Sequence, residues 1–152
     1  TLWRRGWFKS FNNLPMDRDG GVLPWMSYPF IDFAADHLTP SMCVYQYGSA
    51  WSTIWFANHA SQVIAVEHDR EWYDFVSQRL PSNSSVTIKS VSECAAIIKS
   101  EGLFDLVVID GIQRVSPTRH AIESLADRGV IIFKRSLWQV TRSIRTNGRS
   151  GI

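Results

Sequence analysis

The chain has 152 residues, 45% of them hydrophobic, which suits one globular domain with a single core. No apolar run approaches the length of a membrane span and no signal-peptide pattern opens the chain, so we expect a cytoplasmic protein without a membrane partner. The net charge of +2 is unevenly placed, because five cations and no acid fall in residues 134–152.

Residues 1–23 are predicted to be an N-terminal arm. The run Leu2-Trp3-Arg4-Arg5-Gly6-Trp7-Phe8 mixes aromatic and basic side chains. Such a mixture suits either stacking on nucleic-acid bases or packing of the aromatic rings on the domain. Because one short cluster is not a basic face, packing is favoured and nucleic acid is not an expected partner.

The first predicted helix is Phe30–Leu38, whose apolar residues recur at helical spacing before Thr39-Pro40.

The next stretch, Met42–Thr53, begins with the pattern of a strand and continues as a turn. Met42–Tyr47 has the pattern of a buried strand, and Gly48-Ser49-Ala50 is a turn of small residues. A helix Thr53–Ala60 follows, capped by Ser52 or Thr53. A strand, a small-residue turn and a helix start together form a crevice in which backbone N–H groups point at a ligand.

Strands and helices alternate through the rest of the chain. A second strand, Gln62–Val66, ends in Glu67-His68-Asp69, and its acidic tip is placed to accept hydrogen bonds from ribose hydroxyls. The further predicted elements are helix Arg70–Leu80 with Asp69 as N-cap, strand Ser85–Lys89, helix Glu93–Ser100 capped by Ser92, strand Phe104–Ile109, helix Pro117–Leu125 ended by Arg128-Gly129, and strand Val130–Phe133. This alternation predicts an α/β fold, a doubly wound, mainly parallel sheet with helices on both faces.

Three segments together resemble the class I S-adenosylmethionine-dependent methyltransferases. They are Val44–Thr53, Val66–Asp69 and Phe104–Gly111, and they occur in order at βαβ spacing. The resemblance covers roughly residues 24–133. It implies the strand order 3-2-1-4-5 with an antiparallel pair after the fifth strand.

The resemblance also implies where S-adenosylmethionine would bind. The cofactor would lie across Tyr47–Ala50 with its ribose on Glu67 and its adenine near Lys89–Ser92. Trp25 and Tyr28 would either wall this site or cover the sheet. The implied cofactor-binding residues are Trp25, Tyr28, Gln46, Tyr47, Gly48, Ser49, Ala50, Ser52, Thr53, Glu67, His68, Val91, Ser92 and Asp110.

The sequence departs from the family pattern at Gln46 in place of Glu, Ala50 in place of Gly, and Trp51 in place of Asn. Two functions stay open: a methyltransferase acting on a small-molecule acceptor, and a non-catalytic Rossmann-like domain that binds the cofactor weakly or not at all. A nicotinamide oxidoreductase is discounted, because the turn has the single glycine Gly48 where Gly-x-Gly-x-x-Gly is required.

Asp110 is the predicted catalytic residue, as a base or a metal ligand, or else it merely caps the following loop. His68 and His120 are weaker candidate bases, and Arg114 is a candidate for binding an anionic substrate. Metal-dependent relatives would need a second carboxylate after the fifth strand, where this chain has Lys134-Arg135. Two cations would repel a metal ion, so no metal is expected. Cys43 and Cys94 lack metal-ligand spacing and are expected to be buried structural thiols.

The basic tail, residues 134–152, is predicted to hold at most one short strand, Leu137–Val140, and otherwise to be flexible. The antiparallel pair would then be short or missing, as in a truncated or degenerate member of the family. The apolar fifth strand would leave an open edge, which predicts either a homodimer through that edge or marginal solubility as a monomer. Leu137–Val140 is the only nearby segment that could shield the edge instead.

Overall fold

The computed structural model describes residues 16–17, 19–110, 115–134 and 136–141. Among them are five helices and six strands: α1 Tyr28–His37, β1 Cys43–Tyr47, α2 Trp51–Ala57, β2 Gln62–Glu67, α3 Arg70–Ser77, β3 Ser84–Ile88, α4 Val91–Glu101, β4 Phe104–Ile109, α5 Val115–Glu123, β5 Leu125–Phe133 and β6 Ser136–Thr141. The aromatic-basic run in the arm, the candidate Arg114 and the tail beyond Thr141 lie outside the described residues. None of the helices described is both long enough and apolar enough to cross a membrane.

The strands form one sheet in the order β3-β2-β1-β4-β5-β6. The first five run parallel, and β6 pairs antiparallel with β5. The predicted order 3-2-1-4-5 is therefore confirmed. At the end of β1, Tyr47 lies between Val66 of β2 and Ile109 of β4, which brings three carboxyl strand ends together.

The core has two layers, one on each face of the sheet, because successive residues of a strand point to opposite faces. One layer joins Val44 and Val108 of the sheet to Phe30 of α1 and Phe56 of α2, whose rings meet edge to face at 6.4 Å. The other layer packs sheet residues such as Val107 against α4 and α5. Helices on both faces confirm the doubly wound arrangement.

Two predicted N-caps are shifted in the structure. Asp69 is the N-cap of α3, as predicted, and its carboxylate accepts from the Trp72 amide at 3.0 Å. The N-cap of α4 is Ser90 rather than Ser92, because Glu93 reaches back to the Ser90 amide at 3.1 Å in a capping box. The N-cap of α2 is Ala50 rather than Ser52 or Thr53, and the two hydroxyls lie inside its first turn.

The fifth strand starts earlier than the sequence predicts. Helix α5 ends at Glu123, and β5 begins at Leu125, which pairs with Phe104. The Arg128-Gly129 step, predicted to end a helix, lies inside an irregular part of this strand, with Arg128 at a φ of +67°. A Cβ on Gly129 would come within 2.8 Å of the Phe104 carbonyl oxygen, so close strand approach requires glycine there.

The prediction that the fifth strand has an open edge is wrong. Strand β6 covers that edge with an antiparallel ladder that pairs Val130 with Thr141 and Ile131 with Val140. Because this edge is covered, β5 no longer favours a homodimer through it. The predicted short strand Leu137–Val140 is present and is longer than expected.

Candidate functional site

The turn after β1 is built on Gly48. Its φ of +88° lies in the left-handed region that other residues rarely adopt. A Cβ here would sit 3.6 Å from the backbone oxygen of Asp110, an ordinary contact, so backbone conformation rather than space requires glycine. The Gly48 amide donates to the Val66 carbonyl at 2.8 Å, and the Asp110 amide donates to the Tyr47 carbonyl at 3.0 Å. These bonds join the carboxyl ends of β2, β1 and β4 beside the turn.

Glu67, at the end of β2, is the buried carboxylate of this turn and is only 4% exposed. Its Oε2 accepts from the Ser49 amide at 2.6 Å and from the Ser49 hydroxyl at 3.0 Å. Its Oε1 accepts from the amides of His68 at 2.8 Å and Asp69 at 3.0 Å, and the His68 Nδ1 lies 3.1 Å away. Charge-assisted bonds of this kind are about twice as strong as neutral ones and offset the cost of burying the charge.

Gln46, fully buried near the end of β1, ties that strand to the first turn of α2. Its Nε2 donates to the Ser52 hydroxyl oxygen at 2.6 Å, and its Oε1 accepts from the Thr53 hydroxyl at 3.0 Å. The Thr53 oxygen in turn accepts from the Ala50 amide at 3.2 Å. Both ends of the Gln46 amide are therefore satisfied by the protein itself.

Buried polar side chains are concentrated at this edge of the sheet. A buried polar group is costly unless it is hydrogen-bonded, so such a concentration marks a place where polar chemistry is built into the fold. Of the buried polar residues described, all but Ser124 belong to the hydrogen-bond networks around Glu67 and around Gln46. They are Gln46, Ser49, Ser52, Thr53 and Glu67.

Two departures from the family pattern are accommodated locally. Ala50 has a φ of −169°, an extended conformation open to any residue, so its methyl group brings no backbone strain. The Trp51 ring packs edge to face on Phe75 of α3 at 5.4 Å, and Phe75 also meets Trp72 at 5.6 Å. Trp51 thus extends the contact between α2 and α3.

Asp110 follows β4 at the same edge and forms an ion pair with Lys134, which follows β5. The Lys134 Nζ lies 2.7 Å from the Asp110 Oδ2, and both side chains are partly buried. Sequence reasoning considered Lys134 only as a group that repels metal ions and missed this pair. The signal was available, because the carboxyl ends of neighbouring parallel strands lie side by side.

The two candidate histidines lie in different places. His68 is beside Glu67 at the turn. His120 is in the last turn of α5, and its Nδ1 is buried without a hydrogen-bond partner among the described residues. Ser124, four residues later, bonds through its carbonyl to the Phe104 amide at the start of β4. His120 is therefore separated from Asp110 by about the length of β4.

Three aromatic candidates have different surroundings. The Tyr47 side chain points into the core, where its hydroxyl donates to the Ala95 carbonyl at 3.0 Å, and burial raises its pKa so that the phenol stays protonated. Tyr47 can therefore serve the turn only through its backbone. Trp25 is 52% exposed, so it does not cover the sheet, whereas Tyr28 is the partly buried first residue of α1.

Val91 and Ser92, the candidates near the adenine, lie in the first turn of α4. The Lys89 amide donates to the Glu67 carbonyl at 2.9 Å, so the loop that leads to this turn is joined to the end of β2. The Ser92 hydroxyl lies 3.1 Å from that of Ser90, and Val91 is exposed. This surface borders the Glu67 network but is not part of it.

The described residues include no group of three or more His, Cys, Asp or Glu side chains that could hold a metal ion. The cysteines Cys43 in β1 and Cys94 in α4 are free and partly rather than fully buried, and burial raises the pKa of the Cys94 thiol.

No protein-family model and no curated protein matches this chain. Solved structures do match the chain. They include the N-methyltransferase NodS from Bradyrhizobium japonicum WM9, with a TM-score of 0.54 at 16% identity. An rRNA methylase from Streptococcus thermophilus has a TM-score of 0.59 at 14% identity. MycE, a methyltransferase of the mycinamycin biosynthetic pathway in complex with Mg and SAH, has a TM-score of 0.54 at 16% identity.

The fold is that of the class I S-adenosylmethionine-dependent methyltransferases. The matches cover 69%, 70% and 69% of this chain and 63%, 68% and 30% of NodS, the rRNA methylase and MycE. The chain thus spans less than two thirds of NodS and about a third of MycE. At these identities the likeness establishes the methyltransferase fold, and the site residues stand on the geometry described above.

Proposed function

We propose that this chain binds S-adenosylmethionine and transfers its methyl group to a small-molecule acceptor. The observation that carries the proposal is the buried Glu67 carboxylate beside the Gly48 turn, at the edge where open parallel sheets bind ligands. A carboxylate held by backbone donors at that position suits the hydroxyl groups of a ribose. The fold shared with NodS and MycE, the latter in complex with SAH, supports the same cofactor class.

The residues fit the cofactor in three respects. Gly48 lets the backbone approach a ligand without a side chain in the way, Glu67 places a carboxylate where the ribose hydroxyls would lie, and the loop at Lys89 offers a border for adenine. When bound, the cofactor supplies a methyl group already activated by the sulfonium, so the protein mainly supplies approach geometry. The Asp110–Lys134 pair lies at the same edge and is proposed to orient the acceptor.

A second candidate is a non-catalytic Rossmann-like domain. Gln46 favours it, because both ends of this amide are bonded to Ser52 and Thr53, and it lacks the negative charge that would attract the cofactor's ammonium group. The pairing of Asp110 with Lys134 favours it as well, because a general base must be available to the substrate.

Calorimetric titration separates these functions. S-adenosylmethionine and S-adenosylhomocysteine are expected to bind, while NAD is not. Binding of neither sulfur compound would support the non-catalytic alternative. Binding of NAD alone would show that the turn serves a different nucleotide.

A further inference from the structure

The Glu67 carboxylate is fully engaged before any ligand arrives. A carboxylate has about four lone-pair positions, and here four donors fill them: the amides of Ser49, His68 and Asp69, and the Ser49 hydroxyl. Ribose offers two hydroxyl donors to the same carboxylate. They cannot add to a saturated acceptor, so at least one resident donor must leave.

The four resident donors differ in how easily they can leave. The three amides belong to the backbone of the turn and of the start of α3, and moving them would disrupt the Gly48 turn or the Asp69 cap. The Ser49 hydroxyl is attached by a single rotatable bond, and the Ser49 amide keeps its own 2.6 Å bond to the same oxygen when the hydroxyl turns away. The Nδ1 of His68, on a partly exposed side chain, lies 3.1 Å from the other carboxylate oxygen and is not one of these four donors.

We propose that the Ser49 hydroxyl occupies the place of a ribose hydroxyl on Glu67 in the ligand-free protein and must rotate away for the cofactor to bind. This inference deepens the proposed function and rests on its ribose site. Ser49 then has two opposed effects: its amide prepares the carboxylate for a ribose, and its hydroxyl competes with that ribose. Part of the binding free energy is used to displace the hydroxyl.

The test compares Ser49→Ala with the wild-type chain and with Ser84→Ala. Ser84 also donates one side-chain hydrogen bond, to the Pro81 carbonyl at 2.8 Å, but it lies at the start of β3, away from the turn. The calorimetric probes are S-adenosylhomocysteine, adenosine and 2′,3′-dideoxyadenosine, which lacks the two ribose hydroxyls. Thermal denaturation of each variant checks that it is folded.

Ser49→Ala is expected to bind S-adenosylhomocysteine and adenosine roughly 3- to 10-fold more tightly than the wild type, the equivalent of one net hydrogen bond. Dideoxyadenosine should show no gain, and Ser84→Ala should match the wild type for every probe. Unchanged or weaker adenosine binding by Ser49→Ala would overturn the inference. An equal gain for dideoxyadenosine would also overturn it, because it would reflect a loosened turn.

The outcomes for the proposed function are distinct. If the wild type and Ser49→Ala bind S-adenosylhomocysteine equally, the assignment of the cofactor stands, and the proposed competition between the Ser49 hydroxyl and the ribose is wrong. A gain for adenosine without any binding of S-adenosylhomocysteine would keep the competition and remove the methyltransferase assignment. If no nucleoside binds to any variant, both fall.

Discussion

At the scale of single residues, the site is held by side chains that each do two things. Glu67 is the expected ribose ligand, and it also joins the turn to the start of α3. Gln46 replaces a carboxylate of the family pattern and uses both its donor and its acceptor within the protein. Replacing either residue will therefore change stability as well as binding, and the two effects must be measured separately.

The first prediction concerns Glu67. Glu67→Gln keeps the shape of the side chain but removes the charge, so we expect affinity for S-adenosylhomocysteine to fall roughly 10- to 100-fold, as for a lost charge-assisted bond. Glu71→Gln, on the exposed face of α3, is the matched control and should bind as the wild type. Unchanged affinity of a folded Glu67→Gln would place the ribose elsewhere.

The second prediction concerns Gln46. Gln46→Ala leaves a cavity and removes the partner of the buried Ser52 and Thr53 hydroxyls, so the free energy of unfolding should fall by about 2–4 kcal/mol. Urea denaturation measures it. Gln62→Ala, at the exposed start of β2, should change little. A fall in the free energy of unfolding as small as that of Gln62→Ala would show that the hydrogen bonds of Gln46 do not stabilise the fold.

The third prediction concerns Asp110. Because Lys134 neutralises it, we expect no divalent cation to be needed for cofactor binding. Affinity for S-adenosylhomocysteine should be the same in EDTA and in magnesium. A loss in the chelator that magnesium restores would overturn this expectation.

At the scale of elements, sequence patterns located the strands and the five helices described but misplaced several ends. Ser90 and Glu93 have the spacing of a capping box, and that signal was present beside the wrongly chosen Ser92. The start of β5 had no such local signal. Leu125 belongs to a strand because it pairs with the distant Phe104, and helical propensity gave way to that tertiary contact.

A fourth prediction tests the cap of α4. Ser90→Ala should cost about 1 kcal/mol of unfolding free energy, and Ser92→Ala should cost little. The bonds from Ser90 hold the pKa of Glu93 below its usual range. This stabilisation is present above the pKa of Glu93 in the unfolded chain and is lost as pH falls through its lower folded value. An equal loss of unfolding free energy in the two variants would contradict Ser90 as the N-cap of α4.

At the scale of the whole molecule, the sheet is larger than the sequence predicted. Charge and polarity suggested at most one short strand, Leu137–Val140, in residues 134–152, yet β6 pairs along β5 over Ser136–Thr141. Backbone pairing along an exposed edge outweighs the composition of the added strand. What the sequence did predict, the strand order and the position of Gly48 and Glu67, follows from alternation and from the βαβ spacing, which leave few topologies.

A fifth prediction follows from this edge. The intact chain should not associate through β5, whereas a chain ending at Lys134 exposes that apolar strand and should associate. Light scattering across a concentration series measures the mass of each. A mass that rises equally for both chains would show that β6 does not protect the edge.

The backbone bonds from Gly48 to Val66 and from Asp110 to Tyr47 bear on the timescale of opening at the site. Amides just beyond a strand usually exchange their protons with solvent quickly, since nothing holds them. These two are bonded between strand ends, so their exchange should be nearly as slow as that of the central strands. The edge of the sheet at the binding site would then be rigid. When a ligand binds, the amide protons whose exchange slows first should be those just beyond this edge, at Ser49 and His68.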